Sequence, residues 1–263
     1  MAPGMKIATF NINGIGARLP RLLEWLEETK PDVACLQELK APDERFPQMD
    51  IAAAGYRAIW HGQKSWNGVA ILAREGLEMV ETQRGLPDDP DPSHSRYIEA
   101  TIDGVIVGAL YLPNGNPVPG PKFDYKLAWF DALADRAKTL FAGEKPAVLA
   151  GDWNVISTDD KDDVFSAARM ADDALSQPES RAAFRRLLHA GWTDAIRAIH
   201  PAGPVYTFWD YTMNAWARDA GFRIDHLLLS PAAADRLVDA GVDRETRGKE
   251  KASDHAPVWA VLR

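Results

Sequence analysis

Short runs of apolar residues recur along the chain, and their spacing predicts a protein built from both strands and helices. Runs that alternate apolar with polar residues, or that are continuously apolar and rich in β-branched types, predict eight strands. We expect these strands at residues 6–13, 32–38, 68–73, 96–102, 105–111, 146–151, 223–230 and 256–262.

Apolar residues at helical spacing predict three helices, at residues 19–29, 123–141 and 181–190. Pro20 suits the first turn of the first helix, where an N–H group has no helical partner. Glycine, proline and polar residues between these elements predict loops. The longest loops are expected at residues 85–95, 113–121, 157–180 and 209–221.

No low-complexity linker separates these elements, which favours one α/β domain over residues 5–263 after a short extension of residues 1–4. The hydrophobic fraction of 46% and the charged fraction of 26% are ordinary for a soluble globular protein. The single cysteine, Cys35, lies in an apolar run, so we expect a buried thiol and a reducing, cytoplasmic setting. The chain shows neither a signal-peptide pattern nor a stretch long enough to span a membrane, so no membrane partner is expected.

Five short polar motifs stand where apolar runs end, so strands carrying them would deliver carboxylates, carboxamides and an imidazole to a sheet edge. The motifs are Thr9-Phe10-Asn11-Ile12-Asn13-Gly14, Leu36-Gln37-Glu38, Gly151-Asp152-Trp153-Asn154, Arg223-Ile224-Asp225-His226 and Ser253-Asp254-His255. Strand ends in one domain can converge on a single polar site. Because Mg²⁺ prefers oxygen ligands and these groups also suit a phosphate, the motifs predict a metal-dependent phosphodiesterase.

The first three motifs contain the main candidate metal ligand and the candidate base. Glu38 has the chemistry of a direct Mg²⁺ ligand, although an acid at a strand end can equally face solvent. Asp152 and Asn154 share a face in an extended chain, so the carboxylate can deprotonate a water while the carboxamide binds a phosphoryl oxygen. A turn cap is the alternative for both residues, whereas it explains Asn11, inside a strand pattern, poorly.

Asp225 lies within an apolar run, and a buried aspartate needs a partner. His255 is the natural partner, because a carboxylate fixes the tautomer of an imidazole and favours its protonated form. Alternation along the strand turns His226 to the opposite face, where a structural role is expected. The chain has no G-x-S-x-G motif, so Ser253 does not indicate a serine hydrolase, and Asp254 is a candidate second or water-bridged metal ligand.

The net charge of −8 appears to argue against a nucleic-acid ligand, but local patches count for more than the sum. Screening limits exposed charges to about 10 Å at 0.1 M salt. Phosphate affinity would come from local basic clusters, for which solvated surface charge is the alternative. The candidate clusters are Lys122 with Lys126, Arg218 with Arg223, and Arg244, Arg247, Lys249 and Lys251.

Two further patterns have competing explanations. Gly14-Ile15-Gly16 follows a strand and opens a helix, as in a dinucleotide-binding fingerprint, but Leu19 replaces the third glycine and the other polar motifs would have no role. Aromatic residues flank the motif of the buried aspartate, and their rings can enclose a sugar or wedge into a base stack, with packing as the alternative. These residues are Phe208, Trp209 and Phe222.

As a set, the five motifs resemble those of the exonuclease III family of DNA-repair enzymes, within the endonuclease/exonuclease/phosphatase superfamily. Three more stretches share the resemblance: His61-Gly62-Gln63-Lys64, Gly68-Val69-Ala70 and Tyr111-Leu112-Pro113-Asn114-Gly115. The match runs in order from Met5 onward, and it is specific as a combination rather than through any single motif.

The resemblance implies a four-layer α/β sandwich, with two mixed β-sheets packed face to face and helices on the outside. It implies dependence on Mg²⁺, with Mn²⁺ as a substitute. It also implies 3′→5′ exonuclease action on duplex DNA, cleaning of blocked 3′ ends and incision beside abasic sites. The expected partner is therefore double-stranded DNA with abasic sites or recessed or blocked 3′ ends. We expect a cytoplasmic monomer that is associated with the nucleoid while it acts.

The resemblance also implies roles for individual residues. The implied metal-binding set is Glu38, Asn11, Asp254, Asp152 and Asn154. The implied catalytic set is Tyr111, Asp152, Asn154, Asp225 and His255. The implied substrate-binding set is Arg96, Lys122, Phe208, Trp209 and Phe222. In these sets Asp152 positions the attacking water, while Tyr111 and an Asp225-oriented His255 contact the scissile phosphate.

Some segments depart from the family pattern. Ser65-Trp66-Asn67 stands where the family often has Gly-His-Tyr, and residues 157–180 and 211–221 match poorly. Because these loops would meet DNA, the balance between exonuclease and abasic-site activity stays open. Two alternative functions also stay open: a phosphoesterase of the same fold acting on lipid or inositol phosphates, and a DNA-binding module without catalysis.

Overall fold

A computed structural model describes residues 4–263, so most of the predicted extension of residues 1–4 lies outside the described part of the chain. Twelve strands are formed by the described residues. In chain order they are β1 (Met5–Asn11), β2 (Val33–Gln37), β3 (Tyr56–His61), β4 (Val69–Arg74), β5 (Met79–Arg84), β6 (Tyr97–Ile102), β7 (Val105–Tyr111), β8 (Ala147–Asp152), β9 (Thr193–Asp194), β10 (Asp225–Leu229), β11 (Leu237–Val242) and β12 (Val258–Leu262).

Helices connect these strands and, within residues 4–263, none of them is long and apolar enough to cross a bilayer. In chain order they are α1 (Ile15–Thr29), α2 (Gln48–Ala53), α3 (Pro121–Ala142), α4 (Ala167–Met170), α5 (Pro178–His189), α6 (Ala195–Ile199), α7 (Pro231–Ala234) and α8 (Glu245–Gly248). A single turn of 3₁₀ helix spans Asp43–Arg45.

The strands form two six-stranded mixed sheets that repeat one pattern of directions. The first sheet has the order β11-β12-β1-β2-β4-β3, and the second has the order β5-β6-β7-β8-β10-β9. In each sheet the two central strands are parallel, β1 with β2 and β7 with β8. Every other neighbouring pair is antiparallel. In both sheets, therefore, the ends of the central strands and the beginnings of their antiparallel neighbours lie at the same edge.

Apolar residues fill the space between the sheets and cover both outer faces. Cys35 and Val148 belong to the core between the sheets, and burial raises the pKa of the Cys35 thiol, as expected for a structural cysteine. Trp25 of α1 packs on the outer face of the first sheet, while Trp129 of α3 and Phe184 of α5 pack on the second. Burying one large apolar side chain contributes about 1.5–3 kcal/mol. The predicted four-layer sandwich is confirmed.

The eight predicted strands are present within a few residues, whereas two details of the helices differ from the prediction. Helix α1 begins at Ile15, which is fully buried, so Pro20 lies inside the helix and not in its first turn. Residues 157–180 are not wholly irregular, because α4 and the beginning of α5 lie there. A dinucleotide-binding domain is excluded, since the strand after α1 belongs to a mixed sheet facing a second sheet.

Candidate active site

Six strand ends meet at one edge of the paired sheets. Their polar residues are Asn11 at the end of β1, Glu38 after β2, Tyr111 at the end of β7, Asp152 at the end of β8, Asp225 at the beginning of β10 and His255 just before β12. Side chains alternate between the two faces of a strand. Asn11, Tyr111 and Asp152 are therefore on the strand faces that point into the core between the sheets. They lie at the edge where that core ends.

Three of these residues form a tight cluster. Ligand atoms of Glu38, Asp152 and His255 all lie within 4.8 Å of one another. The Asn11 side-chain amide donates to Glu38 Oε1 at 3.0 Å and to Asp152 Oδ2 at 2.9 Å. The Tyr111 hydroxyl donates to the same Glu38 oxygen at 2.8 Å. One amide thus joins carboxylates that belong to different sheets.

Lys40 neutralises Glu38 and begins a chain of polar contacts. Its Nζ lies 2.7 Å from Glu38 Oε2 and 2.6 Å from Asn13 Oδ1. The Asn13 amide then donates to Asp254 Oδ1 at 3.0 Å. Burial acts to raise the pKa of Glu38, but hydrogen bonds from Asn11 and Lys40 hold that pKa below its usual value. Asp254 lies outside the three-residue cluster and is linked to Glu38 indirectly, through Asn13 and Lys40.

His255 is held as a cation by neighbouring carboxylates. Its Nδ1 donates to Asp225 Oδ2 at 2.8 Å, and its Nε2 lies 3.8 Å from Asp152 Oδ2. Burial acts to lower the pKa of His255, but Asp225 and then Asp152 raise it to about 10. Thr207 donates to the same Asp225 oxygen at 2.7 Å and fixes that carboxylate. The predicted aspartate–histidine pair is therefore present.

Asp152 has the environment of a base that operates near neutral pH. It is 1% exposed, and its Oδ1 accepts the Asn154 backbone N–H at 2.9 Å. Burial raises the pKa of Asp152 to about 7, and Asp225 and Glu38 add to this effect while His255 opposes it. Because His255 carries its proton, it is a poor metal ligand. The cluster thus offers two carboxylates to a cation and one imidazolium to an anion.

Asn154 is placed by contacts on both sides of its carboxamide. Its side-chain nitrogen donates to the Leu112 carbonyl at 2.9 Å, and its side-chain oxygen accepts from Asn114 at 3.1 Å. Lys126 Nζ donates to the Asn154 carbonyl at 2.5 Å and to the Asn114 carbonyl at 3.0 Å. Burial lowers the pKa of Lys126 to about 7. Lys126 is therefore a buried support for this loop, which corrects its assignment to a basic surface cluster.

Arg96 lies directly against Tyr111. Its guanidinium carbon is 5.0 Å from the centroid of the Tyr111 ring, and its Nη1 donates to the Tyr111 carbonyl at 3.2 Å. Burial, Glu38 and Asp152 raise the pKa of Tyr111, so its hydroxyl keeps its proton and acts as a donor. Lys122 lies exposed in the first turn of α3, and no described contact joins it to the cluster.

Of the three candidate aromatic residues, Phe208 lies beside His255 and Phe222 packs on Phe208. The Phe208 ring centroid is 4.9 Å from that of His255 and 4.7 Å from that of Phe222. Both rings pack on Ile224 and are partly exposed. Trp209 requires a correction, because its side chain is 0% exposed and packs in a separate cluster behind this pair. Adjacent residues of an extended segment point to opposite sides, so Phe208 and Trp209 cannot line one surface together.

Three residues of the last predicted basic cluster instead contact other residues of the protein, while Lys251 stays exposed. Arg247 donates to the Trp209 carbonyl, Arg244 pairs with Asp219, and Lys249 pairs with Glu28. These lysine and arginine charges are therefore largely neutralised or occupied. Long-range attraction of phosphate by them is correspondingly weak.

Arg223 is likewise a structural cation. It is 1% exposed, and it donates to Asp163 Oδ1 at 2.7 Å and to Asp194 Oδ2 at 2.6 Å. Its Nη1 also lies 2.9 Å from His226 Nδ1. Burial and Arg223 lower the pKa of His226 to about 4, so this histidine is neutral and structural, as predicted. Arg223 thus ties the segment before α4 to the second sheet.

We expect Arg223→Met to lower the free energy of unfolding by about 3–5 kcal/mol, because it leaves the buried Asp194 without its cation and Asp163 with Arg197 alone. Urea unfolding followed by circular dichroism measures this loss. The matched control is Arg186→Met, whose partner Asp131 is 65% exposed at the side chain. That surface pair contributes at most about 1 kcal/mol. Equal losses in the two variants would contradict the structural role of Arg223.

Sequence patterns missed several residues that shape the site. Lys40 stands two residues after Glu38, and Asn114 stands within the Tyr111 motif. Their closeness in sequence to predicted site residues could have identified both. Thr207 could not be found in this way, because it is far from Asp225 in sequence. The backbone pairing of Phe208 with Phe222 brings the Thr207 hydroxyl to the Asp225 carboxylate.

The paired sheets and the acid–imidazole cluster define a class of protein, the hydrolases of phosphate esters that use a divalent cation. Residues 8–255 match the model of the Endonuclease/Exonuclease/phosphatase family, and the chain belongs to that family. It is 34% identical to exodeoxyribonuclease III of Haemophilus influenzae over 270 residues, covering 98% of this chain and all of the relative. The predicted resemblance to the exonuclease III family is confirmed.

Solved structures extend the comparison to three dimensions. A structure of a variant of the 3′ phosphatase NExo from Neisseria, bound to product DNA hairpin, has a TM-score of 0.93 and 39% identity, covering 98% of this chain and 99% of that one. An AP endonuclease from Archaeoglobus fulgidus has a TM-score of 0.90 and 38% identity over the same shares. These matches confirm the fold and the enzyme class, a metal-dependent nuclease that acts by hydrolysis.

Proposed function

We propose that the protein is a Mg²⁺-dependent DNA phosphodiesterase of base-excision repair. It would remove nucleotides 3′→5′ from duplex DNA, clean blocked 3′ ends and incise on the 5′ side of abasic sites. The observation that carries this proposal is the cluster of two carboxylates and a cationic imidazole, with ligand atoms within 4.8 Å at the common edge of both sheets. Such a cluster can hold a divalent cation and a phosphate side by side.

The donor set fits a hard divalent cation. Glu38 and Asp152 supply carboxylate oxygens, which Mg²⁺ prefers, and the cation would share Glu38 with Lys40. Asn11 lies between the two carboxylates, and the Asn154 backbone N–H donates to Asp152. Asp254 would act at longer range or through water. When bound, the cation supplies positive charge that polarises the phosphoryl group and stabilises the departing oxygen.

The protein residues perform an in-line displacement at phosphorus. Asp152 takes a proton from the attacking water, while the contacts of Asn154 hold the following loop in place. The imidazolium of His255, held by Asp225, donates to a phosphoryl oxygen as negative charge develops. The Tyr111 hydroxyl, which contacts Glu38, provides a second donor that is uncharged. The water–phosphorus bond forms as the bond to the 3′-oxygen breaks.

Residues around the cluster suit contact with DNA. Arg96, whose Nε has no partner within residues 4–263, can reach phosphate beside Tyr111. Lys122 presents an exposed charge at the beginning of α3. Phe208 and Phe222 form an apolar wall beside His255 that suits a sugar without a base. We propose that the protein is a monomer. Its DNA substrate would place it in the cytoplasm and, while it acts, at the nucleoid.

A panel of labelled duplexes tests this function. The duplexes carry an abasic site, a 3′-phosphate or a recessed 3′ end and are incubated with Mg²⁺, with Mn²⁺ or with EDTA. We expect cleavage of all three duplexes with either metal ion and none with EDTA. A phosphoinositide and a soluble inositol phosphate are the comparison substrates. Faster turnover of either comparison substrate than of the duplexes would overturn the proposal in favour of a phosphoesterase of the same fold.

A further inference from the structure

A second cleft lies next to the aromatic wall of the active site, between residues 164–170 and 210–222. It has a volume of about 140 Å³. Phe165, Met213 and Phe222 provide apolar walls, and the guanidinium groups of Arg169 and Arg218 lie among its lining residues. Phe165 is 41% exposed and Met213 is 67% exposed, so much apolar surface is open to solvent here. The cleft is formed by the two segments that match the family pattern poorly.

The cleft is connected rigidly to the catalytic histidine. Short antiparallel bridges join Val164 to Phe222, Phe222 to Phe208, and Phe208 to His255. The Phe165 backbone N–H also donates to the Gly221 carbonyl at 2.9 Å. Phe222 forms part of the cleft on one side and packs against Phe208 on the other. A group that leaves the cluster past His255 therefore meets the Phe208–Phe222 pair first and the cleft immediately after it.

The chemistry of the cleft suits a nucleobase. Phe165 and Phe222 offer ring faces for stacking, and Arg218 lies 5.8 Å from the Phe165 ring centroid, where it can stack on a base or pair with a phosphate. Asp210 also lines the cleft, and its carboxylate accepts the Thr212 N–H at 2.6 Å. The remaining acceptor capacity suits the exocyclic amino group of a base. The exposed arginines favour a polyanion over an uncharged apolar ligand.

The proposed reactions differ in whether the departing group carries a base. Removal of a 3′-terminal nucleotide and incision on the 5′ side of an abasic site both break the bond between a 3′-oxygen and the next phosphate. The residue on the departing side is a complete nucleotide in the first reaction and a bare sugar in the second. A bare sugar needs only the Phe208–Phe222 wall, whereas a nucleotide needs further space for its base.

We infer that this cleft binds the base of the departing nucleotide during exonuclease action and is empty during abasic-site incision. The inference rests on the proposed function and deepens it, because it assigns the base-bearing and base-free substrates to different surfaces. The base of an unpaired or frayed 3′-terminal nucleotide would stack on Phe165 and Phe222, with Arg169 and Arg218 facing its surroundings.

The test compares Phe165→Ala with the wild-type protein on three duplexes of one sequence. One has an unpaired 3′-terminal nucleotide, one has a 3′-phosphate and one has an internal abasic site. We expect kcat/KM for nucleotide removal to fall on the order of 5- to 150-fold, the range for loss of one base–aromatic stack. Phosphate removal and abasic incision should change less than about twofold, because neither departing group has a base.

Phe141→Ala is the matched control, since Phe141 is 37% exposed at the end of α3, before β8 and away from the site edge. It should leave all three rates unchanged. Equal losses on all three duplexes by Phe165→Ala, or no loss on the first, would overturn the inference. A wild-type protein that cuts none of the duplexes would instead overturn the proposed function itself.

A binding measurement without catalysis gives an independent readout. The duplex has 2-aminopurine as its unpaired 3′-terminal base and is titrated with protein in EDTA. Stacking in the cleft should quench the fluorescence of the wild-type complex, and Phe165→Ala should relieve most of that quenching. Identical quenching in both proteins would contradict placement of the base in this cleft.

Discussion

Replacing Asp152 with asparagine should lower kcat on every DNA substrate on the order of 10²–10⁴-fold, the usual contribution of a positioned general base. Asparagine has nearly the same shape, and its carbonyl oxygen can still accept the Asn154 backbone N–H. What disappears is one carboxylate oxygen and its negative charge, which would accept the proton of the attacking water and also belong to the proposed metal-binding set. Single-turnover cleavage of an abasic duplex at saturating enzyme measures the chemical step directly.

The control for this variant is Asp235→Asn. Asp235 is an exposed residue that directly follows α7. Helix α7 comes after the end of β10 that is distant from Asp225. Asp235→Asn should cleave at the wild-type rate. Asp152→Asn should bind the abasic duplex about as tightly as wild type, because the proton transfer belongs to the transition state. A cleavage rate within tenfold of wild type in Asp152→Asn would remove this residue from the role of base.

The second large effect is expected from Glu38→Gln, which should weaken Mn²⁺ binding on the order of 10²-fold, because it removes a full charge next to the cation. Cleavage at fixed, limiting Mg²⁺ should fall by a similar factor on the order of 10²–10³. Glutamine can still accept from Asn11 and Tyr111, so the local structure is retained. Titration of Mn²⁺ by electron paramagnetic resonance reports binding without any dependence on turnover.

Glu75→Gln is the comparison variant for this experiment. Glu75 is an exposed acid in the turn after β4, at the opposite end of the first sheet from Glu38. It should bind Mn²⁺ and cleave DNA like wild type. If Glu38→Gln bound Mn²⁺ with unchanged affinity, the metal ion would have to be held elsewhere. A loss of cleavage by Glu38→Gln would not by itself show whether Glu38 holds the metal ion. The Mn²⁺-binding measurement answers that question.

The strands that sequence patterns predicted are those inside the sheets, and the strands that they missed are the edges. β3, β11, β5 and β9 each pair with one neighbour, and each is an edge of one of the two sheets. An interior strand covered on both faces shows a continuous apolar run, as in β2 and β8. An edge strand such as β5 is mostly exposed and carries polar residues that also suit a loop.

The positions of single functional groups were predictable where strand periodicity controls them. Asn11, Asp152 and Asp225 follow from the alternation of their strands, and the structure brings them to one edge. Trp209 was misplaced because it lies in a loop whose course depends on pairing between distant segments. The burial of Lys126 and Arg223 was also beyond sequence patterns, because their partners lie 28 and 60 residues away.

The pairing of β12 with β1 has a consequence for the chain as it is synthesised on the ribosome. The cluster requires Asn11 and Glu38 from early in the chain and His255, which is encoded more than two hundred codons later. The first sheet itself needs β12 to pair with β1. A growing chain that already contains Asn11 and Glu38 therefore lacks His255 and the strand that pairs with β1. The cluster is therefore incomplete until His255 and β12 have been synthesised.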